Sequence, residues 1–227
     1  MKEQSFSALR QQMLQEVMAH TVYVRDELNK PALDDRVLAV MGKVPRHEFV
    51  PIELKSYAYA NVPLPIGYGK TISQPFIVAL MTDLLDVQPD DTVLEIGTGL
   101  GYQAAILAEL AAKVYSMEIV DELAALARKR LTRLGYTNIE MCINNGYHGW
   151  AEYAPFDKLM VTAAPDLIPP PLITQLKAGG KMVIPAGLRD SQQLMLVEKD
   201  EAGRVSTKEI LAVRFTSLEH DDQPQVS

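Results

Sequence analysis

From residue 75 onward, short and almost entirely apolar segments alternate with helix-like segments, and this alternation constrains the fold more than any other feature. The apolar segments include TVLEIG (92–97), KVYSMEI (113–119) and KLMVTAA (158–164). Strands that are apolar on both sides lie in parallel sheets whose two faces are covered by helices. The sequence therefore predicts an α/β fold with a doubly wound, mostly parallel sheet.

The segments on either side of this core have a different character. Apolar spacing predicts a helix over residues 5–29 and a second over 34–44 with Asp34 as its cap, whereas prolines and glycines predict loops from there to residue 74. At the other end, QLMLVEK (193–199) and EILAVRF (209–215) are joined by a short polar turn. We expect these two strands to form an antiparallel hairpin at the sheet edge.

These patterns predict one domain with elaborated ends. We divide it into an N-terminal helical and loop segment that covers the active site (1–74), a ligand-binding core (75–218) and a polar, disordered tail (219–227). An internal repeat is not found, and the sequence does not indicate an oligomeric state.

Composition excludes several classes of protein. The formal charge of −7 and the pI near 5.2 argue against a protein that binds nucleic acid through phosphates. The sequence contains neither an apolar stretch long enough to span a membrane nor a signal peptide, which favours a cytoplasmic protein. The single cysteine, Cys142, lies in an apolar run and is expected to pack in the core.

A glycine-patterned turn follows the first core strand, in the sequence GTGLGYQ with Gly97, Gly99 and Gly101. Glycines between a strand and a helix allow the backbone to approach a ligand closely. Ligands of open α/β sheets bind at this edge, where the strands end. The spacing G-x-G-x-G differs from the G-x-G-x-x-G of dinucleotide-binding proteins, which disfavours NAD and FAD.

Two acidic residues extend this interpretation. Glu118 ends the second core strand 21 residues after Gly97, where a carboxylate can accept hydrogen bonds from ribose hydroxyls. Glu95 lies within the first core strand, where a buried carboxylate requires a cation or hydrogen-bond donors. S-adenosylmethionine carries both an ammonium group and an adenosine ribose, and it is the predicted cofactor.

Several longer stretches resemble one family, the protein-L-isoaspartate (D-aspartate) O-methyltransferases. They are VPRHEFVP (44–51), LPIGYGKTISQPFIVALMTDLL (64–85), VLEIGTGLGYQAAILAEL (93–110), APFDKLMVTAAP (154–165) and QLKAGGKMVIPAG (175–187). The resemblance implies a class I S-adenosylmethionine-dependent, Rossmann-like methyltransferase. It implies methylation of the free carboxylate of L-isoaspartyl residues, and of D-aspartyl residues as a further substrate, which begins protein repair through a succinimide.

The resemblance also implies roles for individual residues. Ser73 matches the active-site position, and Thr71, Ile72 and Gln74 are expected to contact the substrate or shape its pocket, with Gln74 also a possible contact of the cofactor. The expected cofactor-binding residues are Glu95, Gly97, Thr98, Gly99, Gly101, Gln103, Glu118, Ile119, Asn145 and Gly146. Metal ligands are not expected, because the four histidines do not have a metal-binding spacing.

The sequence departs from the family pattern in two places. Residues 144–146 are Asn-Asn-Gly where the family usually has Gly-Asp-Gly, so Asn145 replaces the carboxylate expected to bind the adenine amino group. Residues 215–218 are Phe-Thr-Ser-Leu where the family tends to have Phe-Val-Pro-Leu near the bound peptide. Two alternatives stay open: a methyltransferase acting on another peptide or small-molecule carboxylate, and a cofactor-binding homologue without activity.

Ser73 has two interpretations. Judged without the family, it caps the helix that begins at Pro75, a contribution of about 1 kcal/mol. Judged with the family, it donates a hydrogen bond to the substrate carboxylate. A carboxylate with an ordinary pKa near 4 is already ionised at neutral pH, so the implied reaction needs no general base.

Overall fold

The computed structural model describes residues 3–28 and 31–219 of the protein. Its helices are α1 (Glu3–Thr21), α2 (Arg25–Leu28), α3 (Asp35–Lys43), α4 (Pro75–Leu85), α5 (Tyr102–Ala108), α6 (Asp121–Arg133) and α7 (Pro170–Gln175). Its strands are β1 (Leu64–Gly67), β2 (Lys70–Ile72), β3 (Thr92–Ile96), β4 (Lys113–Glu118), β5 (Ile139–Ile143), β6 (Phe156–Val161), β7 (Leu176–Ala186), β8 (Gln192–Lys199) and β9 (Val205–Val213).

The large sheet confirms the predicted fold class. Its seven strands lie in the order β5-β4-β3-β6-β7-β8-β9. Strands β3 to β7 pair in parallel, and β8 and β9 add the predicted antiparallel hairpin at the edge. The chain runs outward from β3 to β5 and then returns to place β6 on the other side of β3. This reversal leaves a crevice at the carboxyl ends of β3 and β6, where ligands of such sheets bind.

Burial explains why the core strands are apolar throughout. Val93, Leu94, Leu159 and Met160 are fully buried, because helices cover both faces of the sheet. Cys142 on β5 packs against the hydrophobic cluster on one face, and burial raises the pKa of its thiol to about 11, as expected for a packing residue.

The N-terminal helix is shorter than predicted. The sequence predicts one helix over residues 5–29, but α1 ends at Thr21 and a turn separates it from α2. The break falls in the run Thr21, Val22, Tyr23, Val24, and β-branched side chains disfavour helix because they lose rotamer freedom. The prediction for α3 is confirmed: the Asp34 carboxylate accepts a hydrogen bond from the Arg36 N–H at 2.8 Å.

The β1–β2 hairpin was not predicted. Proline in residues 63–65 indicated a loop, yet proline is compatible with an edge strand. The turn is made by Gly67, Tyr68 and Gly69, which all have positive φ. This hairpin brings residues 66–71 over the carboxyl ends of the large sheet.

The N-terminal segment packs directly on the core. One hydrophobic cluster contains Phe6, Met13 and Phe49 of this segment together with Leu80 and Val93 of the core. The division into 1–74, 75–218 and 219–227 stays a prediction. Residues 220–227, which hold most of the predicted tail, lie outside the described residues. None of the described helices is long and apolar enough to cross a membrane.

Candidate active site

The carboxyl ends of the parallel strands open into a space that we call the main cavity. One side is formed by residues that follow core strands or end them, among them Gly97, Glu118, Gly146 and Thr162. The β1–β2 hairpin and residues 216–219 form the other side. The cavity encloses about 550 Å³, part of it open to solvent, and small-molecule sites usually occupy about 300–1,000 Å³.

The glycine loop places its backbone against the main cavity. Gly97 and Gly99 line it, with φ angles of +95° and +56° that favour glycine. A Cβ atom at Gly97 would lie 2.3 Å from Thr162 Oγ1. Gly101 does not line the cavity; it precedes α5 with φ +96°. All three glycines therefore have φ angles that favour glycine, and Gly97 also approaches Thr162 too closely for a larger residue.

Glu118 anchors the loop and faces the main cavity. Its carboxylate accepts hydrogen bonds from the N–H groups of Gly99 at 2.7 Å, Ile119 at 2.9 Å and Val120 at 3.0 Å. Glu118 is only 5% exposed. A carboxylate has about four acceptor positions, so one position is still available to a ligand hydroxyl. Ile119, another predicted cofactor contact, also lines this cavity.

Glu95 lies behind the glycine loop and does not line the main cavity. It is fully buried, and burial raises the pKa of its carboxyl to about 8. Ser116 donates a hydrogen bond to Glu95 Oε2, and Ser116 Oγ lies 2.6 Å from Thr98 Oγ1. The other oxygen, Oε1, has no hydrogen-bond partner among the residues that the structure describes. Ser116 and Thr98 thus lie between the Glu95 carboxyl and the glycine loop. A contact between Glu95 and the ammonium group of the cofactor stays a prediction.

Asn145 is oriented by its own backbone turn. Its Oδ1 accepts a hydrogen bond from the Tyr147 N–H at 2.9 Å, and its buried Nδ2 has no partner within the described part of the chain. The amide oxygen keeps a second lone pair, so Asn145 can still accept a hydrogen bond, and its contact with the cofactor stays a prediction. The neighbouring residues Asn144 and Gly146 line the main cavity. A Cβ at Gly146 would lie 2.2 Å from Ile96 Cγ2, so this position also requires glycine.

A smaller space, the junction cavity, lies beside the main cavity under the glycine loop. Thr98, Gln103, Ile72 and Ser73 line it. Gln103 is buried and donates a hydrogen bond from Nε2 to Thr82 Oγ1 at 3.0 Å, which ties α5 to α4. Contacts of Thr98 and Gln103 with the cofactor stay predictions.

A surface groove lies on the far side of the junction cavity. It is lined by Thr71, Ser73 and Gln74 together with residues 211–216 at the end of β9. Thr71 and Thr162 line the main cavity, the junction cavity and the groove. The structure thus brings together the predicted substrate residues at the point where these spaces meet.

The capping interpretation of Ser73 is wrong. The residue that precedes α4 is Gln74, and the Gln74 side chain forms no capping hydrogen bond with the helix. Instead Asn61 Oδ1 accepts a hydrogen bond from the Phe76 N–H at 3.0 Å. Asn61 is distant in sequence, so no local pattern indicated it. Ser73 lines both the junction cavity and the groove.

Some residues of the site were missed by sequence reasoning. Thr162 Oγ1 donates hydrogen bonds to the carbonyls of Ile96 and Gly97, at 3.0 and 2.8 Å. Lys70 and Glu219 form an ion pair, and both line the main cavity. Thr162 follows β6, and a polar residue at that strand end could have been noticed, whereas the Lys70–Glu219 pair joins residues that no local pattern relates.

Three of the four histidines, His20, His47 and His148, lie in the part of the chain that the structure describes. Among residues 3–28 and 31–219, no group of three potential ligands could hold a metal ion. His47 is buried and stacks on Phe6 with ring centroids 3.9 Å apart. His20 lies at the edge of the groove, and His220 lies outside the described residues.

The strand order, the glycine loop after β3 and the acidic end of β4 define a class I methyltransferase fold. A family model described as protein-L-isoaspartate(D-aspartate) O-methyltransferase matches residues 19–223. The chain belongs to this family.

Two curated relatives come from Polaromonas sp. (strain JS666). Protein-L-isoaspartate O-methyltransferase 1 is 65% identical over 99% of this chain and 94% of its own length. Protein-L-isoaspartate O-methyltransferase 2 is 59% identical over 91% of this chain and 98% of its own. A solved protein-L-isoaspartate O-methyltransferase structure is 27% identical with a TM-score of 0.79, over 93% of this chain and 66% of that one.

Proposed function

We propose that the protein transfers a methyl group from S-adenosylmethionine to the free carboxylate of L-isoaspartyl residues in damaged proteins. D-aspartyl residues are part of the same proposal. The observation that carries it is the meeting of the main cavity and the groove at Thr71 and Thr162, with Ser73 beside them. A two-substrate transfer needs such an arrangement, because both reactants must be held at near-attack geometry.

The residues of the main cavity fit S-adenosylmethionine. Glu118 retains an acceptor position for a ribose hydroxyl, and Gly97 and Gly99 allow the backbone to approach the ligand. Asn145 lies between the cavity-lining residues Asn144 and Gly146, and its Oδ1 is proposed to accept a hydrogen bond from the adenine amino group. When bound, this cofactor supplies a methyl group on a positively charged sulfur.

The acceptor needs position more than activation. A carboxylate is ionised at neutral pH, so the chain has to provide neither a general base nor a nucleophile of its own. The attacking carboxylate oxygen is negative and the sulfur of S-adenosylmethionine is positive, and both charges decrease as the methyl group is transferred. A cationic clamp on the attacking oxygen would therefore stabilise the ground state more than the transition state.

Ser73 fits the requirement for a neutral donor. Its hydroxyl can orient one carboxylate oxygen while leaving the other free to attack. Thr71 and Gln74 line the same groove and are proposed to contact the substrate. Ile72 is buried on the junction cavity and is proposed to shape the wall behind Ser73.

The product explains the biological consequence. The methyl ester loses methanol when the neighbouring backbone nitrogen attacks it, which forms a succinimide without further help from the enzyme. Hydrolysis of the succinimide returns some normal aspartate, so repeated cycles repair the protein. Because the defect is in the backbone, we expect loose selection of flanking side chains.

One observation favours a second candidate, methylation of another peptide or a small-molecule carboxylate. Thr216 lines both the main cavity and the groove, and Ser217 lines the main cavity, where the family tends to have valine and proline. Two hydroxyls at this position can bind an acceptor with additional polar groups. A homologue that binds the cofactor without turnover is the third candidate.

A paired peptide assay separates these candidates. Labelled methyl transfer is measured with an isoaspartyl peptide and with the aspartyl peptide of the same sequence. Incorporation into the isoaspartyl peptide alone supports the proposal. Incorporation into neither peptide rejects it, and normal S-adenosylmethionine affinity by calorimetry would then favour a homologue that binds the cofactor without turnover.

A cytoplasmic location and the absence of nucleic-acid partners belong to the same proposal. The acidic composition, with a formal charge of −7, supports the absence of nucleic-acid partners. Isoaspartyl-containing proteins and peptides are the proposed partners.

A further inference from the structure

The most unusual buried charge in the described residues belongs to Arg46. Its residue is fully buried, and burial lowers the pKa of its guanidinium to about 10. Arg46 forms no ion pair with the residues that the structure describes. A buried charge without a counter-ion is costly. We therefore expect the hydrogen bonds of the Arg46 side chain to have a structural role.

Those hydrogen bonds lead to the acceptor side of the site. Arg46 Nε donates to the Ala58 carbonyl at 2.7 Å, and Nη2 donates to the Ser73 carbonyl at 2.7 Å. The guanidinium carbon lies 4.9 Å from the ring centroid of Tyr102. Tyr102 begins α5 directly after the glycine loop. One side chain therefore connects the Ser73 backbone to the helix that follows the cofactor loop.

The contact between Arg46 and the Ser73 carbonyl affects the position of Ser73 because the segment that joins β2 to α4 is short. Only Ser73 and Gln74 separate β2 from α4. The Gln74 carbonyl accepts the first helical bond, from the Val78 N–H at 3.1 Å, whereas the Ser73 carbonyl is oriented by Arg46. The direction of a carbonyl sets the ψ angle of its residue, and with α4 in place this sets where the Ser73 side chain points.

We propose that Arg46 is a positioning residue for the methyl transfer, holding the Ser73 carbonyl and thereby the Ser73 hydroxyl at a defined place beside the cofactor loop. The inference rests on the proposed role of Ser73. Arginine suits the task because its planar fork donates in two fixed directions, which a lysine ammonium cannot reproduce. Since Arg46 bonds to the backbone, its charge does not have to touch the attacking carboxylate.

The first test is the conservative substitution Arg46→Lys, which keeps the charge and loses the fork. We expect kcat with the isoaspartyl peptide to fall about 10- to 100-fold, because small misplacements of reacting groups are that costly. KM for S-adenosylmethionine should change less than about 3-fold. A matched control is Arg10→Lys. Arg10 also donates to a backbone carbonyl, that of Gly42 at 3.3 Å, and lies 5.5 Å from a tyrosine ring centroid, but it does not contact Ser73. The control should retain kcat.

A double-mutant cycle separates positioning from general damage. If Arg46 acts through Ser73, the change Ser73→Ala should cost less than about 3-fold in the Arg46→Lys background, although it costs far more in the unmodified protein. Full addition of the two losses would overturn the proposal, because it would mean that the residues act independently.

A measurement that does not require turnover completes the design. Hydrogen exchange in peptides covering residues 70–76 should become faster in Arg46→Lys and stay unchanged in Arg10→Lys. Unchanged exchange in both would overturn the positioning contact. Absence of methyl transfer by the unmodified protein would count against the proposed function alone, since exchange still reports the contact.

The unmodified protein provides a further check if Arg46→Lys does not fold. Side-chain NMR should then show an Arg46 Nε–H that exchanges slowly with water and a guanidinium with hindered rotation. Fast exchange and free rotation would overturn the proposal.

Discussion

The main cavity and the groove adjoin each other, yet they are built in different ways. The main cavity is lined by the ends of β3 and β4 and by residues just after β5 and β6, which the sheet brings together. The groove is lined by residues as far apart in sequence as His20, Ser73 and Thr216. Regular core structure thus supplies the proposed cofactor side, and packing of irregular segments supplies the proposed acceptor side.

The hydrogen bonds differ in the same way. On the cofactor side, Glu118 alone accepts three backbone N–H groups, and Thr162 donates to two carbonyls. On the acceptor side, Ser73 is held through its carbonyl and lines two cavities. We therefore expect loss of a contact on the cofactor side to reduce both stability and binding, and loss of the Ser73 hydroxyl on the acceptor side to reduce turnover alone.

The largest effect is expected for Gly97→Ala. The new methyl group combines a positive φ of +95° with a contact of 2.3 Å to Thr162 Oγ1. We expect a loss of about 2–4 kcal/mol in the free energy of unfolding and weaker binding of S-adenosylmethionine. Denaturant unfolding and calorimetry measure these two quantities.

Gly203→Ala is the matched control for that change. Gly203 also has a positive φ, of +78°, but nothing lies within 4 Å of the position that a Cβ would take. It should cost about 1 kcal/mol and leave cofactor binding unchanged. Equal losses in the two variants would mean that close approach at Gly97 contributes nothing.

The next effect is expected for Ser73→Ala. Turnover of the isoaspartyl peptide should fall about 10- to 100-fold while the melting temperature stays within a few degrees, because Ser73 does not cap α4. Asn61→Ala should show the reverse pattern, since it removes the acceptor of the Phe76 N–H and costs about 1 kcal/mol. A large loss of melting temperature in Ser73→Ala with normal turnover would contradict this assignment.

Glu95 should make stability depend on pH. Burial raises the pKa of this carboxyl from 4.5 to about 8, so between these values the folded protein keeps a proton that the unfolded chain releases. The contribution to stability is complete below about pH 4.5 and is lost as the pH rises to about 8, at up to about 1.4 kcal/mol per pH unit.

Glu95→Gln removes that titration while retaining groups that can bond Ser116. We expect the variant to gain stability relative to the unmodified protein as the pH is raised from 5 to 8. Unfolding curves at several pH values measure this difference. A constant difference across the range would show that Glu95 is ionised in the folded protein.

The smallest effect is expected for Asn145→Asp. A carboxylate can still accept the Tyr147 N–H, and its second oxygen replaces the unpartnered Nδ2 donor with an acceptor for the adenine amino group. Charge-assisted hydrogen bonds are about twice as strong as neutral ones, so cofactor affinity should rise several-fold. The matched control is Asn144→Asp, which adds the same charge one residue away. Unchanged or weaker affinity in Asn145→Asp would mean that this side chain does not face adenine.

The comparison also shows which parts of the protein could be predicted. Core strands β3, β4 and β6 were predicted to within a few residues, because burial on both sides leaves an apolar run that is visible in one dimension. The β1–β2 hairpin was missed because its prolines indicate a loop when read locally. Capping of α4 by Ser73 was one of two interpretations because the residue that accepts the Phe76 N–H, Asn61, lies outside any local window.

The sequence by itself determined the α/β class, the glycine loop and the acidic residue at the end of β4, since these follow from periodicity and from backbone angles that glycine favours. Only the tertiary structure decided how Ser73 is held, because Arg46 and Asn61 reach that segment through space and leave no pattern along the chain. It also decided that Glu95 lies behind the loop and that Asn145 Oδ1 accepts a hydrogen bond from the Tyr147 N–H. Neighbouring residues determine local geometry, whereas the partners of a buried polar group depend on which distant segments pack against it.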